Sequence, residues 1–276
     1  MITLAISPCP NDTFMFWAML NKQIDASGLT FNVKMLDIDR LNHVAAEQEF
    51  DMVKISYANY PNISSSYQLL TSGSALGFGN GPLLVSRRRI YPDEIPCLRI
   101  AIPGKNTTAN MLLTIAYPSI AVKREYLFSD IEEVVLSDEA DAGLLIHETR
   151  FTYQRKGLRK ILDLGEYWEK TASLPLPLGG IAVRRNFSQD VKQKLNITLM
   201  ESVRYALQNP HLPEQFVKKH AQEMDIDVCR KHIKLYVNDF SIDLGDEGKK
   251  AVSTLFERGI AARYLSNITE PVFVKN

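Results

Sequence analysis

The sequence predicts an α/β fold of two facing lobes with a ligand cleft between them, on three observations. Short apolar β-type runs alternate with helix-length segments, which implies parallel strands joined by right-handed crossovers. The pattern that opens the chain restarts near Leu98. At 276 residues the chain is close to twice the length of about 150 residues expected of one domain, and 45% hydrophobic residues against 23% charged supply a core and exclude disorder.

Ile2-Thr-Leu-Ala-Ile6 reads as a strand, Ser7-Pro-Cys-Pro-Asn-Asp-Thr13 as a tight loop, and Phe14 to Leu20 as a helix. Asn11 or Asp12 is the expected N-cap, since either side chain can accept from the first-turn N–H groups. A strand over about 30–36, a helix over about 41–48 and a strand over about 51–56 complete the first unit. A Gly-rich stretch, 73–81, precedes the β-type run Pro82–Ser86, and Arg87-Arg-Arg89 leads out of the unit.

The second unit repeats the plan: strand Leu98–Ile102, loop Pro103–Asn106, helix Thr107–Ile115. Glu139-Ala-Asp-Ala-Gly-Leu-Leu-Ile146 parallels Glu49-Phe-Asp-Met-Val-Lys-Ile55, and the two strand ends carry His147 and Ser56. Gly179–Arg185 is the expected return crossing. Helices at about 189–208, 213–222, 228–238 and 245–263 have no strand partners and should pack mainly on the first lobe. The plan is that of a periplasmic-binding-protein-like (type II) fold: residues 1–88 plus 188–276 form a large discontinuous lobe, residues 89–187 a small one, and two crossings form the hinge.

Thirty-two Lys and Arg balance 32 Asp and Glu, so composition gives no reason to expect nucleic acid as a partner. Cys9, Cys97 and Cys229 lack metal or dithiol spacing. The first residues carry neither a cationic opening nor a long apolar run, so a cytoplasmic protein with no membrane partner is expected. G-x-G-x-x-G after a strand, G-x-x-x-x-G-K-[S/T], H-E-x-x-H and G-x-S-x-G are missing, and no cofactor or metal is implied. Oligomeric state has no signal in the sequence.

Ligands of open α/β sheets bind beyond the carboxyl ends of the strands, which directs attention to the loops there. The loops Ser7–Thr13 and Gly104–Thr108 each open a helix, where N–H groups and the positive dipole end can hold a carboxylate or phosphate. Asn11, Asp12, Thr13, Thr107 and Thr108 therefore either cap their own helices or form a clamp for a small anionic ligand. His147, at a strand end, is the histidine best placed for acid–base work or else a satisfied structural residue. His43, His211, His220 and His232 read as solvated or capping. Gly77, Gly79 and Gly81 serve a tight turn or a close backbone approach.

Five motifs occur in order over nearly the whole chain: Ser7-Pro-Cys-Pro-Asn-Asp-Thr-Phe14, Gly81-Pro-Leu-Leu-Val85, Pro103-Gly-Lys-Asn-Thr-Thr-Ala109, Gly143-Leu-Leu-Ile-His-Glu148 and Leu174-Pro-Leu-Pro-Leu-Gly179. Together they resemble the 1,4-dihydroxy-6-naphthoate synthases of the futalosine route to menaquinone. The resemblance implies a cofactor-independent lyase acting on cyclic dehypoxanthine futalosine, with His147 as general base. It further implies that the Ser7–Thr13 loop, with Asn11, Asp12 and Thr13, and the Thr107–Thr108 helix start hold the substrate's carboxylate and hydroxyls. Ser56, Gly81, Pro82 and the Pro177-Leu178-Gly179 edge would line the pocket. Chorismate dehydratase of the same route is the alternative enzyme, disfavoured by the first and fourth motifs; a non-catalytic binding protein for a small anion is the alternative class.

Overall fold

A computed structural model describes residues 1–221 and 225–275. The chain opens with β1 (Ile2–Ile6), α1 (Pro10–Leu20), β2 (Phe31–Met35), α2 (Ile38–Ala46) and β3 (Met52–Ser56). β1 lies between β2 and β3, parallel to β2 with Ile2 opposite Phe31 and parallel to β3 with Leu4 opposite Met52. After α3 (Tyr60–Ile63), β4 (Tyr67–Leu69) and β5 (Ala75–Gly77), the chain crosses into a second sheet at β6 (Leu83–Ser86).

That sheet is built by β7 (Arg99–Ile102), α4 (Thr108–Ala116), β8 (Val122–Glu125), α5 (Ile131–Leu136) and β9 (Ala142–Leu145), followed by β10 (Arg159–Asp163). β7 is parallel to β8 and β9, as β1 is to β2 and β3. The same βαβαβ unit thus forms the heart of each lobe. Then α6 (Leu164–Ala172) and β11 (Leu176–Arg184) return to the first sheet, and α7 (Gln189–Gln208), α8 (Glu214–His220), α9 (Ile226–Tyr236), α10 (Asp239–Ile242) and α11 (Gly245–Ala261) follow.

The sheets are mixed rather than parallel throughout. β11 runs antiparallel to β3, β4 and β5, and β6 runs antiparallel to β9 and β10. A strand that arrives from the other lobe meets the sheet end-on, without the helical crossover a parallel strand needs. Pairing also moves the expected lobe boundaries of 88/89 and 187/188. β6 belongs to the second sheet and β11 to the first, so the crossings precede β6 and β11.

Helix α1 begins four residues before the expected Phe14. Pro10 occupies its first turn, where a missing N–H costs nothing and a fixed φ favours the helix. Cys9 is the N-cap, so Asn11 and Asp12 are first-turn residues and not caps. Nearly all of α1 is buried, because β1 covers one side and α7, α8 and α9 pack around the rest. Phe14, Met15 and Phe16 consequently share a core with Leu4, Leu195, Leu199 and Val203. The helix over 213–222 is realised as α8 to His220, and position 222 lies outside the described residues. Among the described residues no helix is long and apolar enough to cross a membrane.

Gly81 meets Gly165 backbone to backbone where the chain enters β6. A Cβ on Gly81 would run into the nitrogen and Cα of Gly165. This close backbone contact requires a glycine.

Candidate functional site

The carboxyl ends of β3 and β9, the start of α1 and the start of α4 converge on a cleft between the lobes, enclosing about 640 Å³ with the adjoining open solvent. The first lobe contributes Ser7, Asn11, Asp12, Lys54 and Ser56; the second contributes Pro82, Thr107, Thr108 and His147. Leu178 and Gly179 of β11 form an edge, and His232 and Tyr236 of α9 close another side. Thr13, Gly81 and Pro177 do not border the cleft. The Thr13 hydroxyl is spent inside α1, donating to the carbonyls of Cys9 and Pro10.

Asp12 organises the first-lobe wall. Its carboxylate accepts from Ser7 Oγ at 2.7 Å, Asn11 Nδ2 at 2.9 Å and Lys54 Nζ at 2.9 Å. Lys54 and Asp12 are buried, with side-chain exposures of 6% and 1%. Burying both charges is tolerable because each neutralises the other and the carboxylate is fully hydrogen-bonded. Asp12 therefore places a buried carboxylate, paired with Lys54, in the first turn of α1.

The same network fixes a second histidine. Asp12 can only accept, so the Asn11 amide nitrogen faces it and Asn11 Oδ1 faces away, 3.0 Å from His232 Nε2. His232 must then donate from Nε2. His232 is 1% exposed, and burial first, then the charges of His147, Arg150 and Lys54, hold its pKa well below the ordinary histidine value. It is neither solvated nor capping, contrary to expectation.

His147 follows β9 and begins a 3-10 turn with φ of 58°, a left-handed conformation that few non-glycine residues adopt. Its ring stacks on His232 at 6.2 Å and 9°, and Phe128 meets it edge-on at 4.8 Å. Cys9 Sγ lies 3.4 Å from Nδ1, while Nε2 is buried with no hydrogen-bond partner among the described residues. Burial pushes its pKa down from 6.5 to about 4, Asp12 opposing and Lys54 assisting, so the imidazole is neutral near pH 7.

On the opposite wall Thr107 caps α4, accepting from Asn110 N and donating to Gly104 O. Thr108 Oγ1 donates to Leu178 O at 2.7 Å and accepts from Ala58 N, tying α4 to β11 and to the turn after β3. Both hydroxyls thus bond within the fold, and Thr107, Thr108 and Ala109 at the start of α4 line the cleft. Ser56 is held by Asn42, whose amide donates to Ser56 Oγ and accepts from Ser56 N.

Sequence reasoning missed Lys54, His232 and Tyr236, and it took Cys9 only as part of the Ser7–Thr13 loop. Only Lys54 carried a signal, a lysine inside the buried run Met52-Val-Lys-Ile-Ser56.

Fold and cleft together define a periplasmic-binding-protein-like scaffold with a histidine-bearing interlobe site. The chain belongs to the menaquinone-biosynthesis family, whose model matches residues 2–261. Two curated relatives, both named 1,4-dihydroxy-6-naphthoate synthase, are similar along nearly the full length. That of Thermus thermophilus is 40% identical over 273 residues, 99% of each chain. That of Streptomyces coelicolor is 38% identical over 268 residues, 94% of this chain and 93% of the relative. The crystal structure of a protein from Archaeoglobus fulgidus superposes with a TM-score of 0.90 at 34% identity, covering 96% of this chain and 98% of that one. The periplasmic aliphatic sulphonate binding protein of Escherichia coli shares the fold alone, with a TM-score of 0.67 at 8% identity over 100% of this chain and 94% of that one.

Proposed function

We propose that the chain is a lyase that converts cyclic dehypoxanthine futalosine to 1,4-dihydroxy-6-naphthoate without a cofactor. The observation that carries this reading is a neutral His147 whose Nε2 is buried at the cleft without a partner among the described residues. Such an imidazole can accept a proton from a carbon beside a carbonyl or from a sugar hydroxyl. The electron pair of the broken bond then drives loss of the sugar-derived fragment, and aromatisation of the remaining ring makes the step favourable. The start of α4 stabilises the substrate carboxylate or a developing oxyanion through its first-turn N–H groups. Base catalysis contributes about 10²–10⁴-fold, with positioning between the lobes supplying more.

The relatives' names and the family match support this chemistry over mere binding. Incubating the purified chain separately with cyclic dehypoxanthine futalosine and with chorismate, each followed by mass and absorbance, tests it. Formation of dihydroxynaphthoate from the first alone is expected. Consumption of chorismate, or tight binding of futalosine derivative without turnover, would overturn the proposal in favour of a dehydratase or a receptor.

A further inference from the structure

The two nitrogens of the His147 ring are treated differently by the fold. Nδ1 lies 3.4 Å from Cys9 Sγ, whereas Nε2 has no hydrogen-bond partner among the described residues. Cys9 comes from the other lobe, 138 residues earlier, and is itself fixed in place. Its N–H donates to Ser7 Oγ at 3.3 Å, and its carbonyl accepts from Thr13 N at 3.0 Å. With Phe128 at its edge and His232 on its face, the His147 ring has little freedom to turn.

A neutral imidazole carries one proton, on either nitrogen. A proton on Nε2 would leave a buried N–H with no acceptor and would require the weak S–H donor to satisfy Nδ1. A proton on Nδ1 gives the stronger donor to the sulfur and leaves a lone pair, the less costly orphan, at Nε2. We propose that Cys9 is a positioning residue that fixes His147 as the Nδ1–H tautomer, making Nε2 the atom that takes the substrate proton. The inference rests on the assignment of His147 as the base. During the reaction the proton passes from substrate carbon or hydroxyl to Nε2 and the bonding pair stays on the substrate. Nδ1–H keeps donating to Sγ throughout, and the nearby Asp12 charge favours the imidazolium that forms.

The test is a long-range ¹H–¹⁵N spectrum of the full chain with ¹⁵N-labelled histidine near neutral pH, with His147 assigned by its loss in His147→Gln. Nδ1 should resonate in the protonated range and Nε2 in the unprotonated range. In Cys9→Ala the two shifts should converge towards a tautomer mixture, and kcat on cyclic dehypoxanthine futalosine should fall about tenfold at unchanged KM. Cys9→Ser, whose hydroxyl can accept the same bond, should restore most of both. An unprotonated Nδ1 in the unmodified chain overturns the proposal, and so does a Cys9→Ala protein with unaltered shifts and kcat. Because the first spectrum needs no Cys9 variant, misfolding of Cys9→Ala leaves the proposal decidable. Full turnover by His147→Gln would refute the base assignment separately, since the tautomer is measured without turnover.

Discussion

Lowering the pH from about 7 towards 4 forces a proton onto an imidazole that the fold holds neutral, and the stability lost follows from the His147 environment. Burial shifts this group from 6.5 to about 4, a difference equivalent to about 3 kcal/mol between the protonation states. Between those two values the unfolded chain binds more protons than the folded one, so stability rises with pH. The contribution is whole above pH 6.5, about 2 kcal/mol of it is gone by about pH 5, and the loss is complete below about pH 4. His232, shifted the same way, adds to the slope. Urea unfolding over about pH 7 to 4.5, with His147→Gln beside the unmodified chain, isolates the effect, because titrating carboxylates are common to both. The variant should lose markedly less stability on acidification. Identical pH slopes would refute the claim that the fold keeps His147 neutral by desolvation.

Lys54→Met should cost about 3–5 kcal/mol, since it strands the Asp12 carboxylate in the interior, and pairing it with Asp12→Asn should recover over half, as a double-mutant cycle in urea would measure. Gly81→Ala should destabilise by about 1–3 kcal/mol, because its Cβ meets the Gly165 backbone, which cannot swing aside; the urea midpoint reports it. Thr107→Ala removes the α4 cap and should lower stability by about 1 kcal/mol, with weaker binding of substrate on titration as the helix start loosens.

Much of the architecture was legible because each βαβαβ unit announces itself through apolar strands and Gly- or Pro-punctuated loops. β8 was not legible: Val122-Lys-Arg-Glu125 is a polar strand at the edge of its sheet, with little apolar pattern to mark it. The sheet membership of Leu83–Ser86 was hidden for a different reason. An apolar run shows that a strand is buried but not which sheet it joins, and the antiparallel pairing with β9 and β10 decides it.

The site divides along the same line. His147 stood out because it ends a strand, and strand ends face clefts. His232 lies 85 positions further on a helix whose other face is solvated, and its role depends on the amide orientation of Asn11, which in turn depends on Asp12. Such a chain of contacts brings together residues 11, 12, 54 and 232 and leaves no local pattern in the sequence. Likewise, Thr107 and Thr108 were legible as a helix start, but only the structure shows the bonds that their hydroxyls make to Gly104 and Leu178.

The most direct test of His147 as the base is single-turnover kinetics with cyclic dehypoxanthine futalosine, comparing the unmodified chain with a folded His147→Gln variant across acid pH. Dihydroxynaphthoate formation should fall by about 10²–10⁴-fold in the variant, and the acid limb of the rate profile should disappear with it. A folded variant that turns over at the unmodified rate, with the same acid limb, would contradict the assignment.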